Sequence, residues 1–178
     1  GQVELHLRRT PNTEGSGLRL VAQGNDYVLR NEFMAVRLPK LTGGLAKPVD
    51  LVSLPAPLLA IAAGGTNWLG RGAWTNAGPP LLVKEATTTV LEEGPIRVTV
   101  RYQLTLTNGL SYRADVSLGA RQDVVLFTDD TDIEATNAVF RFSLQQGLRP
   151  DRVFWKNNYY AESYKGLGGD AIPFDHEQ

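Results

Sequence analysis

The sequence predicts an all-β fold, an antiparallel β-sandwich with few or no helices. Three observations support this prediction. Apolar and polar residues alternate over long segments, most clearly across residues 96–106. Turn signals such as Asn108-Gly109 separate neighbouring segments. No segment of convincing length shows the apolar repeat of an amphipathic helix, which would recur every three to four positions.

The N-terminal half contains short predicted strands between loops and turns. Their signals are alternation, short apolar runs and proline-marked ends. These strands cover residues 3–7, 18–21, 27–29, 33–38, 49–54 and 58–62. The stretch 41–80 is rich in glycine, proline, alanine and leucine, and we interpret Gly70 and Gly72 within it as breaks.

From residue 81 onward the strand signals are longer and denser in β-branched residues. The predicted strands cover residues 81–92, 96–106, 110–118, 124–127 and 138–144. The stretch after residue 147 is irregular and rich in aromatic residues, and we predict no regular element there.

The Asn108-Gly109 pair is the strongest hairpin signal, because both residue types tolerate the positive φ of a two-residue turn. We expect it to join two of the longest strands. The first of these strands should bury one face and expose the other, since successive side chains point to opposite faces. The expected buried face consists of Val98, Val100, Tyr102, Leu104 and Leu106, with Arg97 and Arg101 opposite.

The composition excludes several classes of protein. A chain of 178 residues with 42% hydrophobic and 21% charged content suits a single globular domain over residues 1–178. The net charge of −1 provides no cationic surface for phosphates, so no nucleic-acid partner is expected. No apolar run approaches the roughly 20 residues of a bilayer span. Without cysteine there is no disulfide or thiolate metal site, and we predict no cofactor.

Two segments resemble the β-sandwich domains of the galactose-mutarotase-like superfamily. Residues 27–38 (YVLRNEFMAVRL) resemble their "y-v-l-x-N-x-x-x-x-v-x-l" opening, and residues 90–100 (VLEEGPIRVTV) their "v-x-e-x-G-p-v-r-x-x-v" strand pair. Residues 112–118 and 124–132 resemble the long strands that follow. The resemblance implies a supersandwich-like domain that accompanies the catalytic domain of a glycoside hydrolase or polysaccharide lyase, secreted or periplasmic. The C-terminal residues 172–178 show no terminating signal, so we expect a piece of a longer protein.

One departure from that superfamily concerns catalysis. Mutarotases that act alone resemble one another in using a histidine and a glutamate as acid and base. The two histidines of this chain, His6 and His176, lie near opposite ends. We therefore predict no catalytic residue and no activity for the isolated chain.

The carboxylates admit two interpretations. Asp129, Asp130, Asp132 and Glu134 could supply oxygen ligands to calcium, or they could be the solvated end of a strand whose charges prevent edge-to-edge pairing. We favour the second and predict no metal site. Glu92 and Glu93 precede Gly94-Pro95 and are interpreted as turn residues rather than as a glycosidase pair.

Aromatic side chains are the candidate binding groups. Flat rings pack against the C–H faces of sugars, and loops on a rigid sandwich often carry binding residues. The predicted glycan-binding residues are Trp68, Trp74, Trp155, Tyr159 and Tyr160. The alternative is that some of these rings close the ends of the sandwich or pack on a neighbouring domain.

The sequence thus favours a non-catalytic β-sandwich domain of a secreted carbohydrate-active enzyme. Its expected partners are a polysaccharide or oligosaccharide and a neighbouring domain of the same protein. The alternative from another class is a structural or adhesive β-sandwich subunit of an extracellular assembly. An independent sugar-active enzyme is a third, weaker hypothesis.

Overall fold

The computed structural model describes residues 17–63, 67–134, 138–144, 152–156 and 161–165. Its contacts divide the chain into two units, Gly1–Ser143 and Leu144–Gln178, which are described separately. The first unit contains eleven described strands: β1 (Arg19–Gln23), β2 (Asp26–Arg30), β3 (Met34–Pro39), β4 (Thr42–Asp50), β5 (Ala60–Ala63), β6 (Arg71–Asn76), β7 (Leu82–Glu93), β8 (Arg97–Leu106), β9 (Ser111–Gly119), β10 (Val125–Thr131) and β11 (Ala138–Ser143). A single 3-10 turn, Leu51–Ser53, is the one helical element of the described residues. The all-β prediction is confirmed.

The strands of the first unit form antiparallel sheets that pack together. A four-stranded sheet has the order β1-β2-β3-β5, and a five-stranded sheet has the order β10-β9-β8-β7-β4. A two-stranded ribbon pairs β6 with β11. In the second unit, β12 (Arg152–Lys156) and β13 (Ala161–Lys165) form a hairpin.

The inner face of the five-stranded sheet supplies most of the core. Toward the start of β8, Val98 and Val100 pack with residues of the four-stranded sheet such as Leu29. Toward the end of β8, Tyr102 belongs to a cluster that includes Trp74 of the ribbon. One sheet therefore packs against two smaller sheets at different points along its strands.

The long central strands match the prediction closely. All five expected core residues of β8 are buried, while Arg101 is half-buried and Arg97 is exposed on the opposite face. Burial of alternate apolar residues from water is what makes this register favourable, because a shift by one residue would expose every one of them.

The hairpin prediction is right, but its turn type is wrong. The Leu106 and Leu110 backbones close the loop, which leaves three residues, 107–109, between them. Gly109 alone takes positive φ, at 90°, and its N–H donates to the Leu106 carbonyl. This is the pattern of a type I turn followed by a glycine bulge, so the positive φ tolerance of Asn108 is not used.

The glycine- and proline-rich stretch was predicted least well. Strand β4 begins at Thr42, is interrupted by an irregularity between Gly44 and Val49, and ends at Asp50. The predicted strand 49–54 is therefore wrong beyond Asp50, where the 3-10 turn begins. Gly72 was expected to be a break but lies inside β6. Glycine is needed at this position because a Cβ would collide with the Leu58 carbonyl oxygen.

Three further expectations concern the acidic run and the two ends of the chain. The acidic run forms the exposed end of β10 as far as Thr131, which agrees with its interpretation as a solvated strand end. Strands β12 and β13 occupy part of the stretch after residue 147, which was predicted to be irregular. The predicted strand 3–7 lies outside the described residues. Within the described part of the chain, no helix is both long and apolar enough to cross a bilayer.

Candidate functional site

Trp74 is a core residue in the structure rather than a loop residue. It lies in β6, and its side chain is 6% exposed. Its ring meets Tyr112 edge to face at 4.8 Å between centroids, and its Nε1–H donates to the Tyr102 hydroxyl over 3.3 Å. The loop expectation was wrong for this residue because neighbouring glycines let β6 pack tightly, and the buried ring offers little free face to a sugar.

Trp68 lies at the edge of the four-stranded sheet, and an arginine covers one face of its ring. The Arg37 guanidinium carbon stands 4.3 Å from the ring centroid. The same indole packs against the small buried cluster of Val28, Ala35 and Ala62. A cation stacked on an indole is attracted by the negative charge of the ring face, so Trp68 fixes the position of Arg37.

The remaining predicted aromatic residues belong to the stretch after residue 147. Trp155 lies in strand β12 of the second unit, so the loop prediction for its position is wrong. Tyr159, Tyr160, His6 and His176 lie outside the described residues. The glycan-binding role of all five predicted aromatic residues stays a prediction.

One cavity of the first unit is an open cleft of about 490 Å³, here called the large cleft. Its walls are the four-stranded sheet, the segment that follows the 3-10 turn, and strand β6. The polar lining groups are Asp26, Arg37, Ser53 and Arg71; the apolar surface comes from Leu54, Pro55, Ala56, Leu59, Ala60 and Trp74. This combination suits a small polar ligand that also presents C–H surface.

A buried hydrogen-bond relay supports the wall of the large cleft. The Tyr102 hydroxyl accepts from Trp74 and donates to the Pro55 carbonyl over 2.8 Å. Burial raises the pKa of Tyr102 far above its ordinary value, although the Trp74 hydrogen bond lowers it in part. Tyr102 therefore remains a neutral donor, and it fastens the Pro55 segment to the core.

The charges of the large cleft are unequal. The Arg37 Nε lies 3.8 Å from an Asp26 carboxylate oxygen, and each side chain is about one-third exposed (35% and 30%). Arg71 is exposed on β6, and no carboxylate of the described residues pairs with it. The lining thus contains two guanidinium groups and one carboxylate. Guanidinium groups donate several hydrogen bonds in a fixed plane, which suits vicinal hydroxyls and carboxylates.

A second, smaller cavity lies beside Trp74 and is here called the aromatic pocket. Its volume is about 210 Å³. Its lining consists of Trp74, Tyr112, Asp129, Thr131, Ile133, Ala138, Val139 and Phe140. Burial, then the nearby Asp129 charge, raises the pKa of Tyr112 well above its ordinary value, so this phenol stays protonated.

The acidic residues in and just after β10 do not converge on a common point. Asp130 pairs with Arg113 over 2.8 Å on the outer face of the sheet, and Asp132 accepts from the Ser111 hydroxyl. Asp129 points to the opposite face, as the alternation of a strand requires. Within the described ranges, no three acidic or histidine side chains are placed to hold a metal ion together.

The arginines of the large cleft were not identified from the sequence. Arg37 stands between the buried residues Val36 and Leu38, so its outward orientation could have been inferred from alternation. Its approach to Asp26 depends on the β2–β3 register, and its contact with Trp68 depends on packing between distant segments. Arg71 carries no local signal, because it lies between glycines in a stretch that was interpreted as a loop.

Comparison of the chain with protein-family models, with curated proteins and with solved structures finds no match. The resemblance to galactose-mutarotase-like domains therefore stays a prediction, and the function has to be argued from the site itself.

Proposed function

We propose that the chain is a non-catalytic, saccharide-binding β-sandwich domain of a secreted carbohydrate-active enzyme. The observation that carries the proposal is the large cleft, where two guanidinium groups and a carboxylate adjoin apolar surface. Saccharides present hydroxyl groups and C–H faces together, and the lining offers partners for both. The sequence resemblance supports the same class of ligand.

The number of carboxyl groups in the large cleft supports saccharide binding without hydrolysis. Hydrolysis of a glycosidic bond needs two carboxyl groups on either side of the bond. The described lining contains one carboxylate, Asp26, and Arg37 stands next to it. The described lining therefore offers the hydrogen-bond acceptors of one carboxylate and no second carboxyl group.

As a domain of a larger enzyme, the chain should also contact a neighbouring domain, and three turns with exposed apolar side chains support this. The Asn31 side chain donates to the carbonyls of Gly119 and Gln122, which ties the β2–β3 turn to the β9–β10 turn. Exposed apolar side chains stand on these turns and on the adjoining β7–β8 turn: Phe33 (45%), Val124 (53%) and Ile96 (78%). Exposed apolar patches commonly mark protein contacts.

The same turns are the observation that favours the alternative, a structural or adhesive subunit. The two functions differ in what the isolated chain binds. Self-association that rises with concentration and is lost in Ile96→Ser would favour the subunit, and light scattering after gel filtration measures it.

Calorimetric titration tests saccharide binding. The probes are neutral oligosaccharides and oligosaccharides that contain uronic acids, each added to wild type, Arg71→Gln and Arg19→Gln. We expect at least one probe to bind to wild type and Arg71→Gln to bind it about tenfold more weakly. Arg19→Gln is the matched control, since Arg19 is an exposed arginine on β1 outside the cleft lining. Equal binding by all three proteins would place the saccharide elsewhere, and the absence of binding by every probe would refute the proposal.

A further inference from the structure

Three aromatic rings line the aromatic pocket, and Trp74 meets each of the other two at a steep angle. Trp74 and Tyr112 are nearly perpendicular, at 88°, and Trp74 and Phe140 meet at 62° with their centroids 6.0 Å apart. The Trp74 Nε1–H is engaged by Tyr102, so the orientation of the indole is fixed from within the core. The Phe140 ring also stacks on the Phe127 ring, with 5.4 Å between their centroids. These contacts hold the three rings in place, and Trp74 and Tyr112 keep only a small exposed surface.

One charged group faces this pocket, the Asp129 carboxylate. Asp129 pairs with the fully buried Ala114 of β9 and lies on the same face of β10 as Phe127, but its own side chain is exposed. No lysine or arginine of the described residues forms a salt bridge with it, in contrast to Asp130 on the outer face. Its one described partner is the Tyr112 hydroxyl, at the long distance of 3.5 Å. The carboxylate therefore has free acceptor capacity and an uncompensated negative charge beside the rings.

We propose that the aromatic pocket binds a small organic cation, an alkylammonium or quaternary ammonium group. The faces of tryptophan, tyrosine and phenylalanine attract cations, and desolvation strengthens that attraction. A carboxylate beside the rings adds a full opposite charge. The pocket is smaller than the roughly 300–1,000 Å³ typical of sites for drug-sized molecules, so the cation fits as a small ligand or as the head of a longer one.

Two other occupants fit the pocket less well. Calcium takes about six to eight oxygen ligands, and the lining offers one carboxylate with few further oxygens. A neutral sugar would leave the Asp129 charge uncompensated. An inward charge on an edge strand can also serve only to discourage pairing with another sheet, and in that case no ligand is expected.

The proposal goes beyond saccharide binding, and its test is separate from that of the large cleft. The probes are tetramethylammonium and choline, with 3,3-dimethylbutan-1-ol as the uncharged analogue of choline. The full chain is titrated while the three indole N–H signals are followed by NMR, with Trp74 assigned through Trp74→Phe. We expect saturable shifts of the Trp74 signal with both cations and about tenfold weaker binding of the alcohol.

Variants then test the carboxylate. Asp129→Asn keeps the shape of the side chain and should weaken choline binding about tenfold. Asp130→Asn removes the neighbouring charge on the outer face and should change it less than about twofold. Equal affinity for choline and the alcohol in wild type would overturn the proposal without any variant. So would unchanged binding in Asp129→Asn, or the absence of any Trp74 shift with either cation.

Discussion

Asn31 illustrates how much one polar side chain can do in this fold. It is 5% exposed, and its amide is fully used. The nitrogen donates to the carbonyls of Gly119 and Gln122 over 2.8 and 2.6 Å, and the oxygen accepts from the backbone N–H groups of Phe33 and Met34. The side chain thereby ties the four-stranded sheet to the end of β9. In the sequence, Asn31 interrupts two predicted strands and matches the asparagine of the motif that residues 27–38 resemble, but neither feature showed these partners.

Removal of the Asn31 amide should therefore be costly. Asn31→Ala leaves several buried backbone groups without partners, and we expect a loss of about 3 kcal/mol in the free energy of unfolding. Asn31→Asp should lose more at neutral pH, because it directs a carboxylate at two carbonyl oxygens. Urea unfolding followed by circular dichroism measures both, with the exposed Asn25→Ala as control. A loss below about 0.5 kcal/mol in Asn31→Ala would contradict the stabilising role of the Asn31 hydrogen bonds.

The Arg101–Asp115 pair predicts how stability depends on pH at the acid end. Two hydrogen bonds of 2.7 Å join the side chains, and the bond from Arg101 holds the pKa of Asp115 below its usual value. A lowered native pKa stabilises the fold above the unfolded value of about 3.9, and this contribution is lost as the pH falls through the native pKa.

Asp115→Asn should thus cost up to about 1 kcal/mol at neutral pH, since both side chains are about 30% exposed (31% and 30%) and screened. The difference from wild type should shrink below about pH 4. Urea midpoints measured across the acid range provide the comparison. A difference that stays constant, or grows, toward low pH would show that the ion pair is not its origin.

At the scale of elements, strand β6 depends on close backbone packing. The Gly72 N–H donates to the Leu59 carbonyl over 3.1 Å, and a Cβ on Gly72 would collide with the Leu58 carbonyl oxygen. Gly72→Ala should destabilise the protein by about 3 kcal/mol or more, because backbone cannot move away as a side chain can.

Gly44→Ala is the matched control for this substitution. Gly44 is also a strand glycine, but nothing lies within 4 Å of its Cβ position. We expect its effect on unfolding free energy to stay within about 0.5 kcal/mol. If the two variants proved equally stable, the tight approach of β6 to Leu58 would be wrong.

Strands β8 and β6 show which elements of the fold could be predicted from the sequence. Strand β8 was predicted in place and in orientation, since its alternation reports burial on a single sheet face. Strand β6 was missed because contacts with residues distant in sequence stabilise it. Gly72, and Gly70 just before the strand, are required by the Leu58 backbone and the Phe142 ring. Trp74 completes a core that other strands build. For the same reason the large cleft, which three separate segments form, had no signature in the sequence.

At the scale of the whole molecule, two buried phenols predict alkaline instability. Burial raises the pKa of both Tyr102 and Tyr112 above the ordinary value of about 10. The native state then holds these protons while the unfolded state releases them, so stability should fall as the pH rises above about 10. Tyr102→Phe should be less stable than wild type at neutral pH, because it loses the bond to Pro55, yet its stability should fall less steeply with pH. An equal slope for both proteins would contradict this origin.

The proposed function requires that the large cleft binds saccharide without turning it over. The most direct measurement is an NMR titration of the wild-type chain with the oligosaccharide that binds best in calorimetry, combined with a reducing-end assay of the same sample. We expect backbone amide shifts concentrated at Ser53, Leu59 and Arg71–Ala73, and no release of reducing ends. Shifts confined to residues outside the large cleft, or steady turnover of the oligosaccharide, would contradict it.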